Sequence, residues 1–341
     1  MRRPCRAGYA ATLGIVPRRR AAHAALIASN NGDKTMSDAA PMRIGFIGLG
    51  AMGGPICGHL AAAGHDVAAY DIQPAAVQAA AARGARPAAS VREAADGAAL
   101  LVVMVHNAGQ ADAVLFGEGG AAAALPAGAT VWLASTVAPA YARGLQARLR
   151  EHGAGLVDGP VSGGATGAQA GALTIIASGQ AQALAAAEPA MRACSSIIHR
   201  VGEEAGAAST VKLVNQLLTA SHIALTAEAL ALGARAGVDP DVLVKVISQS
   251  AGTSRQFEKR APRMAAGDHA PQSTVDIFLK DLEIALDAAR ALRFPVPIAA
   301  SAHQVFSMAA GAGDGPNSDT TVLRVYERNG GVDVAAARKE A

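Results

Sequence analysis

A short apolar segment at residues 43–47 runs directly into the glycine-rich stretch GLGAMG at residues 48–53. Glycine weakens both helices and strands, so three glycines at this spacing need a structural reason. In a strand–turn–helix context Gly48 permits a tight turn, Gly50 allows a close backbone approach, and Gly53 lets the helix pack against the strand. The stretch therefore predicts a strand, a turn and a helix that open a βαβ unit.

This predicted turn has the features of a dinucleotide-binding site. The helix after it presents unpaired backbone N–H groups and a positive dipole end, which suit a pyrophosphate. Asp71 follows Gly50 by 21 residues, where a carboxylate accepts ribose hydroxyls and repels a 2′-phosphate, so NAD is favoured over NADP. A glycine-rich structural turn and a helix-capping Asp71 are the alternatives. The predicted cofactor-binding residues here are Gly48, Leu49, Gly50, Ala51, Met52, Gly53 and Asp71.

Beyond the turn, short apolar runs alternate with alanine-rich helical patterns as far as Gly202. Strands that are apolar throughout and separated by helices predict a parallel sheet covered on both faces. The predicted strands lie in RIGFIGL, HDVAAYD, ALLVVMV, TVWLAST, GLVDGPV, LTIIASG and SIIHRVG, and the predicted helices of this part are 52–63, 74–83, 138–151 and 181–194.

Only helical patterns follow Gly202, beginning with one long pattern from about residue 204 to 237. Asp239, Ser273 and Ser318 are the predicted N-caps of later helices. The sequence thus predicts an α/β Rossmann domain followed by an all-α domain, joined by a long helix. The predicted organisation is a tail over 1–41, the α/β domain over 42–202 and the helical domain over 203–330.

The predicted tail at residues 1–41 holds seven basic and two acidic residues, although the whole chain carries a net charge of only +3. The basic character therefore belongs to the tail, and the remainder gives no footprint of nucleic-acid binding. The tail is either an organelle-targeting segment or, as we favour, an upstream extension of a chain that starts at Met36. In both cases we expect it to be disordered.

The three cysteines form no CxxC pair, which argues against a disulfide framework or a thiolate zinc site and fits a reducing cytoplasm. The histidines and acids show no HExxH or other metal-binding spacing. No apolar run approaches the roughly 20 residues that a membrane span needs. The sequence therefore predicts a cytoplasmic protein without a metal site and without a membrane partner.

Two segments carry candidate substrate chemistry. Residues 158–179 contain six glycines around a strand end, where Ser162, Gly163 and Gly164 can present a hydroxyl and bare N–H groups to a carboxylate. The alternative is a glycine-rich turn between strands. On the long helix Lys212 and Asn215 share a face.

Lys212 lies near the start of the long helix, where the helix dipole disfavours a cation, and this placement hints at a function. An ordinary lysine, with a pKa of about 10.4, is a poor base near neutrality. Partial burial and a second cation, for which Lys280 is the candidate, would lower that pKa to roughly 7–8. The alternative is a solvated helix lysine.

Polar residues that follow the predicted fourth and fifth strands are weaker candidates. His106 and Asn107 follow the fourth strand, at the sheet edge where ligands bind in such folds, and Thr136 follows the next strand. Thr136 is placed to contact the nicotinamide or its ribose. His106 is otherwise a loop histidine, and His222 is interpreted as a surface or packed residue of the long helix.

Taken together, four segments in order resemble the β-hydroxyacid dehydrogenases over about residues 42–310: GFIGLGAMGGPI, DGPVSGGATGAQAGALTIIASG, KLVNQLL and KDL. The resemblance implies that Lys212 is the catalytic acid/base and that Asn215 holds substrate oxygens. It also implies a substrate carboxylate held by Ser162, Gly163 and Gly164, and contacts to NAD from Thr136 and Lys280. The site would lie in the cleft between the two domains, and members of the family are usually dimers or tetramers.

Finer features of the resemblance point to a branch that oxidises a four-carbon sugar acid, L-threonate. Two residues depart from the expected patterns: Gln216 stands where typical hydroxyisobutyrate-type members have a second asparagine, and His106 stands where an apolar residue is expected in the L-threonate branch. We expect Gln216 to change substrate preference rather than abolish catalysis. Oxidation of 3-hydroxyisobutyrate, reduction of tartronate semialdehyde and a cofactor-binding module without catalysis are the alternatives.

Overall fold

The computed structural model describes residues 40–338, so the expectations for the tail fall almost wholly outside the described residues. Within that range the strands form one sheet. Strands β1 to β6 pair with one another in parallel, whereas β6 pairs with β8 in antiparallel. The order across the sheet is β3-β2-β1-β4-β5-β6-β8-β7, with β9 paired to β8. The strands are β1 (Arg43–Ile47), β2 (Asp66–Tyr70), β3 (Arg86–Pro87), β4 (Leu100–Val103), β5 (Thr130–Leu133), β6 (Gly155–Asp158), β7 (Val161–Ser162), β8 (Leu173–Gly179) and β9 (Ser195–Gly202).

The parallel part of the sheet is buried on both faces, as predicted. Neighbouring residues of one strand enter different apolar clusters: Phe46 and Val102 pack into one, whereas Ile47 and Val103 pack into the other. Successive strand residues point to opposite faces, so a strand covered on both sides must be apolar throughout. The helices that cover the sheet are α1 (Gly53–Ala62), α2 (Pro74–Ala81), α3 (Val91–Ala95), α4 (Ala108–Phe116), α5 (Pro139–Glu151), α6 (Gly164–Gln169) and α7 (Ala181–Ala193).

The prediction of a wholly parallel sheet is wrong at its far side. Strand β8 runs antiparallel to β6 and to β7, because the ten residues between β7 and β8 are too few for a crossover back to the starting edge. Strand β9 pairs only with β8 and leaves most of its residues partly or fully exposed, Ile197 among them. An apolar run at a sheet edge looks like a buried strand in the sequence.

The second half of the described chain is helical, as predicted, and is built around the long helix α8. Helices α10 to α13 pack against α8, and their apolar side chains share one core cluster. Six of the thirteen buried residues of α8 are alanine, which lets the neighbouring helices approach closely. The helices are α8 (Ala207–Arg235), α9 (Pro240–Ser248), α10 (Arg255–Ala265), α11 (Val275–Ala291), α12 (Pro297–Ala309) and α13 (Leu323–Gly330).

Two of the three predicted N-caps are confirmed. Asp239 accepts a hydrogen bond from the first turn of α9, and Ser318 does so for a short 3₁₀ helix at residues 319–322. The prediction of Ser273 is wrong: Thr274, in extended conformation beside the first helical residue, caps α11 instead. The backbone carbonyl of Ser273 instead accepts a hydrogen bond from the N–H of Asp319, so Ser273 contacts the start of that 3₁₀ helix.

Helix α8 corrects the expectation that no segment has the length and apolarity of a membrane span. It has 29 residues, and its most apolar window has a mean hydropathy of 1.4. Half of that window is buried inside the protein, and α10 to α13 pack around the helix. Length and composition of this kind are equally those of a central core helix.

Candidate active site

The glycine-rich turn has the conformation that its sequence predicts. Gly48 has a φ of +94°, and a Cβ there would lie 2.1 Å from the carbonyl oxygen of Met104. A Cβ on Gly53 would lie 1.9 Å from the carbonyl oxygen of Gly48, whereas one on Gly50 would meet nothing within 4 Å. Helix α1 begins without a side-chain cap, and its first turn holds no acidic residue. The turn thus offers open space and uncapped N–H groups, which fit a dinucleotide pyrophosphate.

Asp71 lies beside this turn, directly after β2. Its Oδ2 accepts from the N–H of Leu49 at 2.6 Å, and its Oδ1 accepts from the N–H of Gln73 at 2.8 Å. Gln73 is the N-cap of α2, so Asp71 closes the turn before that helix and does not cap it. The carboxylate is therefore fixed next to the dinucleotide turn, where it places a negative charge at the end of the second strand.

Asn107 and Thr136 lie at the ends of the next two strands. Asn107 is the N-cap of α4, and its Oδ1 accepts from the N–H of Gln110 at 2.9 Å. His106 donates its backbone N–H to the Gln110 side chain, which places it in the same loop. The carbonyl oxygen of Thr136 accepts from Nζ of Lys280 at 3.4 Å, so this strand end contacts the helical part of the chain.

The predicted carboxylate-binding loop lies between β7 and α6. Gly163 and Gly164 have φ values of +138° and +66°, which two successive residues with side chains would rarely adopt. Ser162 ends β7 immediately before them and is partly exposed. Successive N–H groups in such a conformation can form a small nest for an anion, as the sequence predicts.

A residue that sequence reasoning missed, His59, connects helix α1 with helix α6, which follows this loop. Nε2 of His59, in the last turn of α1, lies 3.1 Å from the carbonyl oxygen of Ala168 and 3.0 Å from that of Gln169. Both partners are acceptors, so this ring nitrogen must carry a proton. A Cβ on Gly171 would lie 3.0 Å from the ring, so glycine makes room for the imidazole. The partners are more than a hundred residues apart in sequence, and no local pattern announces the contact.

Lys212 is buried in the first half of α8, with only 6% of its surface exposed. Burial lowers the pKa of Lys212 to about 8, the nearby carboxylate of Asp281 opposes this, and the cation of Lys280 adds to it. Within residues 40–338 its ammonium makes no hydrogen bond and no ion pair within 4.0 Å. A lysine in this state has a substantial neutral fraction near neutral pH, as an acid/base requires.

The carboxylate that opposes the lowering of the Lys212 pKa belongs to Asp281, a second residue that sequence reasoning missed. Asp281 is buried, with Oδ1 2.8 Å from Nζ of Lys280 and Oδ2 2.6 Å from Nε2 of Gln216. The oxygen Oε1 of Gln216 accepts in turn from Nδ2 of Asn215 at 3.0 Å. Hydrogen bonds through Gln216 and Asp281 thus connect the predicted residues Asn215 and Lys280. Asp281 is part of the KDL motif, but its spacing in the sequence does not mark it as a site residue.

A third missed residue, Asp158, anchors the helix that carries Lys212. Helix α8 has no local side-chain cap. Instead Asp158, fully buried at the end of β6, accepts from the N–H of Gly206 at 2.7 Å and of Ser209 at 3.0 Å, and from the Ser209 hydroxyl at 2.7 Å. A carboxylate at a helix N-terminus satisfies the unpaired N–H groups and the dipole together. Asp158 therefore sets the position of α8 against the sheet.

The described residues 40–338 contain no cluster of three or more potential metal-binding side chains. The arrangement instead combines a fixed dinucleotide turn, a glycine loop suited to an anion, and a buried lysine with a lowered pKa. These parts belong to elements that pack together: α8 contacts β6 and β8 of the sheet and α11 of the helical part. Such a set can bind an anionic alcohol and remove a proton from it.

Comparison with known proteins gives the same picture. The family model for the NAD binding domain of 6-phosphogluconate dehydrogenase matches residues 43–202. The model described as the NAD-binding part of NADP-dependent 3-hydroxyisobutyrate dehydrogenase matches residues 206–326. An L-threonate dehydrogenase of Cupriavidus necator is 47% identical over 283 residues, which are 83% of this chain and 95% of that protein.

Two further relatives carry a different name. A 3-hydroxyisobutyrate dehydrogenase of Pseudomonas aeruginosa is 36% identical over 276 residues, which are 79% of this chain and 92% of that protein. The crystal structure of a 3-hydroxyisobutyrate dehydrogenase from Salmonella typhimurium is similar with a TM-score of 0.77 and 41% identity, and the match covers 83% of this chain and 99% of that one. The similarity thus extends over both halves of the described chain.

Proposed function

Because this chain belongs to the β-hydroxyacid dehydrogenase family, we propose that it oxidises L-threonate to 2-dehydro-L-erythronate with NAD. Family membership makes the chain an oxidoreductase that acts on the CH–OH group of a small hydroxy acid with a nicotinamide cofactor. The choice of L-threonate rests on the relative from Cupriavidus necator at 47% identity. The observation that carries the chemistry is the buried, unpaired amine of Lys212.

Lys212 is the acid/base of the proposed reaction. In its neutral form it takes the proton of the C2 hydroxyl, and in the reverse direction its ammonium returns that proton. When bound, the nicotinamide supplies the hydride acceptor for the C2 hydrogen. Lys280 assists because its positive charge lowers the pKa of Lys212.

The substrate is oriented by the glycine loop. Ser162, Gly163 and Gly164 hold its carboxylate through the serine hydroxyl and backbone N–H groups, and Asn215 contacts an oxygen of the substrate. A carboxylate fixed at one end aims the C2–H bond in one direction. Positioning of this kind contributes several kcal/mol to catalysis, with an upper limit of about 7–11 kcal/mol.

We assign the cofactor to the turn Gly48, Leu49, Gly50, Ala51, Met52 and Gly53, with Asp71, Asn107, Thr136 and Lys280 as further contacts. Asp71 favours NAD because its carboxylate would repel a 2′-phosphate. In this assignment the α/β domain spans 42–202 and the helical domain 203–330. The protein acts in the cytoplasm on a small anionic substrate, as a homodimer or homotetramer.

Two other substrates fit the same residues, because 3-hydroxyisobutyrate and tartronate semialdehyde also offer a carboxylate near the reacting carbon. The relatives from Pseudomonas aeruginosa and Salmonella typhimurium are named for the first of these. A module that binds the dinucleotide without catalysis would have no use for a buried lysine of lowered pKa. We therefore keep this last alternative only as an outcome of the test.

The test is an initial-rate comparison of L-threonate, D-threonate, D-erythronate, 3-hydroxyisobutyrate and, in the reducing direction, tartronate semialdehyde, with NAD(H) and NADP(H) in parallel. We expect the highest kcat/KM for L-threonate with NAD. An Asp71→Ala variant should narrow the preference for NAD over NADP, since the repelling carboxylate is lost. A higher kcat/KM for 3-hydroxyisobutyrate would overturn the proposed substrate, and turnover of none of these compounds would overturn the proposed function.

A further inference from the structure

The side chains of Asp281, Gln216 and Asn215 form a chain of hydrogen bonds with a fixed direction. The Asp281 carboxylate, ion-paired with Lys280 at 2.8 Å, can only accept hydrogen bonds. The amide of Gln216 must therefore turn its NH₂ group toward Asp281, which it meets at 2.6 Å. Its oxygen then points the other way and can only accept, so Asn215 must direct its own NH₂ group toward it, at 3.0 Å.

This direction determines which atom Asn215 offers to a ligand. Because Gln216 engages one N–H of Nδ2, the Asn215 amide is held with its oxygen Oδ1 and its second N–H free, and no residue in 40–338 donates a hydrogen bond to Oδ1. Asn215 lies three residues after Lys212 and is partly buried, so the two side chains share one face of α8. A ligand beside Lys212 therefore meets, at Asn215, an unpaired acceptor next to one remaining N–H donor.

We infer that Asn215 selects hydroxy acids with a second hydroxyl group, and that Gln216 is the positioning residue that turns the Asn215 oxygen toward this hydroxyl. The inference rests on the proposed function, in which Asn215 contacts the substrate. A hydroxyl group can donate to Oδ1 and accept from the remaining N–H, whereas a carboxylate cannot donate to Oδ1 and a methyl group leaves both atoms unpaired. Asn215 therefore binds a hydroxyl beyond C2, and the glycine loop binds the substrate carboxylate.

The length of the Gln216 side chain allows it to fix the orientation of the Asn215 amide. Gln216 on α8 spans to Asp281 on α11 and still reaches Asn215 on its own helix. Without an amide at position 216 nothing fixes the Asn215 amide, which can then present either its oxygen or its nitrogen. A glutamic acid at 216 can reproduce the pattern when protonated, since its hydroxyl donates to Asp281 and its carbonyl accepts from Asn215.

The test compares L-threonate with 2,3-dihydroxybutanoate, 2,4-dihydroxybutanoate and 2-hydroxybutanoate, all with the same configuration at C2. We expect the wild type to prefer L-threonate over 2-hydroxybutanoate by about tenfold or more in kcat/KM. The two singly deoxygenated acids identify which hydroxyl meets Asn215. In Gln216→Leu the ratio of kcat/KM for L-threonate to that for 2-hydroxybutanoate should fall close to one, mainly through a higher KM for L-threonate. In Gln216→Glu much of the wild-type ratio should return at low pH, where the glutamic acid is protonated.

A matched control is Thr226→Val, which removes a hydrogen bond of the same helix about 15 Å further along. It should leave the substrate ratio unchanged. If the wild type oxidises 2-hydroxybutanoate as well as L-threonate, or if Gln216→Leu keeps the wild-type ratio, the inference is wrong although the proposed function stands. If the wild type oxidises no hydroxy acid, both are wrong. If a variant fails to fold, the kcat/KM values of the wild type for L-threonate and 2-hydroxybutanoate still test the inference.

Discussion

At the scale of single residues, the proposed proton transfer depends on how the residues around Lys212 shift the pKa of its amine. Burial removes Lys212 from water and favours its neutral form, which brings its pKa down to about 8, and Lys280 acts in the same direction. Asp281 acts in the opposite direction but is itself paired with Lys280 and Gln216, which weakens its pull on Lys212. The balance leaves an amine that can exchange a proton near physiological pH.

The pH dependence of the reaction should report this balance. Oxidation needs the neutral amine, so kcat/KM at saturating NAD should rise with pH to a plateau, with a midpoint near about 8. Lys280→Met removes a like charge and frees Asp281 to attract a proton to Lys212, so the midpoint should move to higher pH. Lys245→Met, which removes an exposed lysine of α9, is the control. A midpoint that stays in place or moves down in Lys280→Met would contradict this account.

At the scale of helices and strands, the site depends on how α8 is attached to the sheet. Its first turn has no cap of its own and is held by Asp158, which is fully buried and accepts three hydrogen bonds there. Lys212 lies three residues after Ser209, so the position of the amine follows from this attachment. The end of the buried strand β6 and the start of α8 are thus one structural unit.

Asp158→Ala should therefore cost more stability than the loss of an ordinary helix cap. It leaves several buried donors unpaired, and we expect the free energy of unfolding to fall by about 3 kcal/mol in urea titrations. Ser90→Ala, which removes the local cap of α3, is the matched control and should cost about 1 kcal/mol. Equal losses in the two variants would show that Asp158 is not the anchor of α8.

Periodicity and turn chemistry predicted these elements well. The four predicted helices of the α/β part agree with the structure to within two residues, because alanine-rich amphipathic patterns and glycine turns are local signals. Strands β8 and β9 were predicted, but the antiparallel direction of β8 and the exposure of β9 were not, since an apolar run looks alike at a sheet edge and at its centre. Lys212 and Lys280 are candidates from the sequence alone, whereas Asp158 and Asp281 are not, because the groups at α8 that donate to these carboxylates lie 48 to 65 residues away in sequence.

At the scale of the whole molecule, a row of apolar side chains on α8 has no partner within the described part of the chain. These residues are between 43% and 70% exposed and recur at intervals of three, four and seven along one side of the helix. Exposed apolar rows of this kind are typical of subunit contacts. They are Val211, Val214, Leu218, Leu225 and Leu232.

This row predicts that the protein is a homo-oligomer that associates through α8. Light scattering after size exclusion at micromolar concentration should give a mass of two or four chains. Leu218→Glu combined with Leu225→Lys should shift the mass toward the monomer while far-UV circular dichroism stays unchanged, and Leu292→Lys, an exposed apolar residue outside the row, should leave the assembly intact. A monomeric wild type, or an intact oligomer in the double variant, would contradict the prediction.

If the buried amine of Lys212 moves the substrate proton, its removal in Lys212→Ala should abolish most of the turnover. We expect kcat to fall by roughly 10²- to 10⁴-fold, NADH binding measured by fluorescence to remain close to that of the wild type, and a small primary amine added to the buffer to restore part of the rate. If Lys212→Ala turns over within about tenfold of the wild type, or loses NADH binding along with its activity, Lys212 does not have this role.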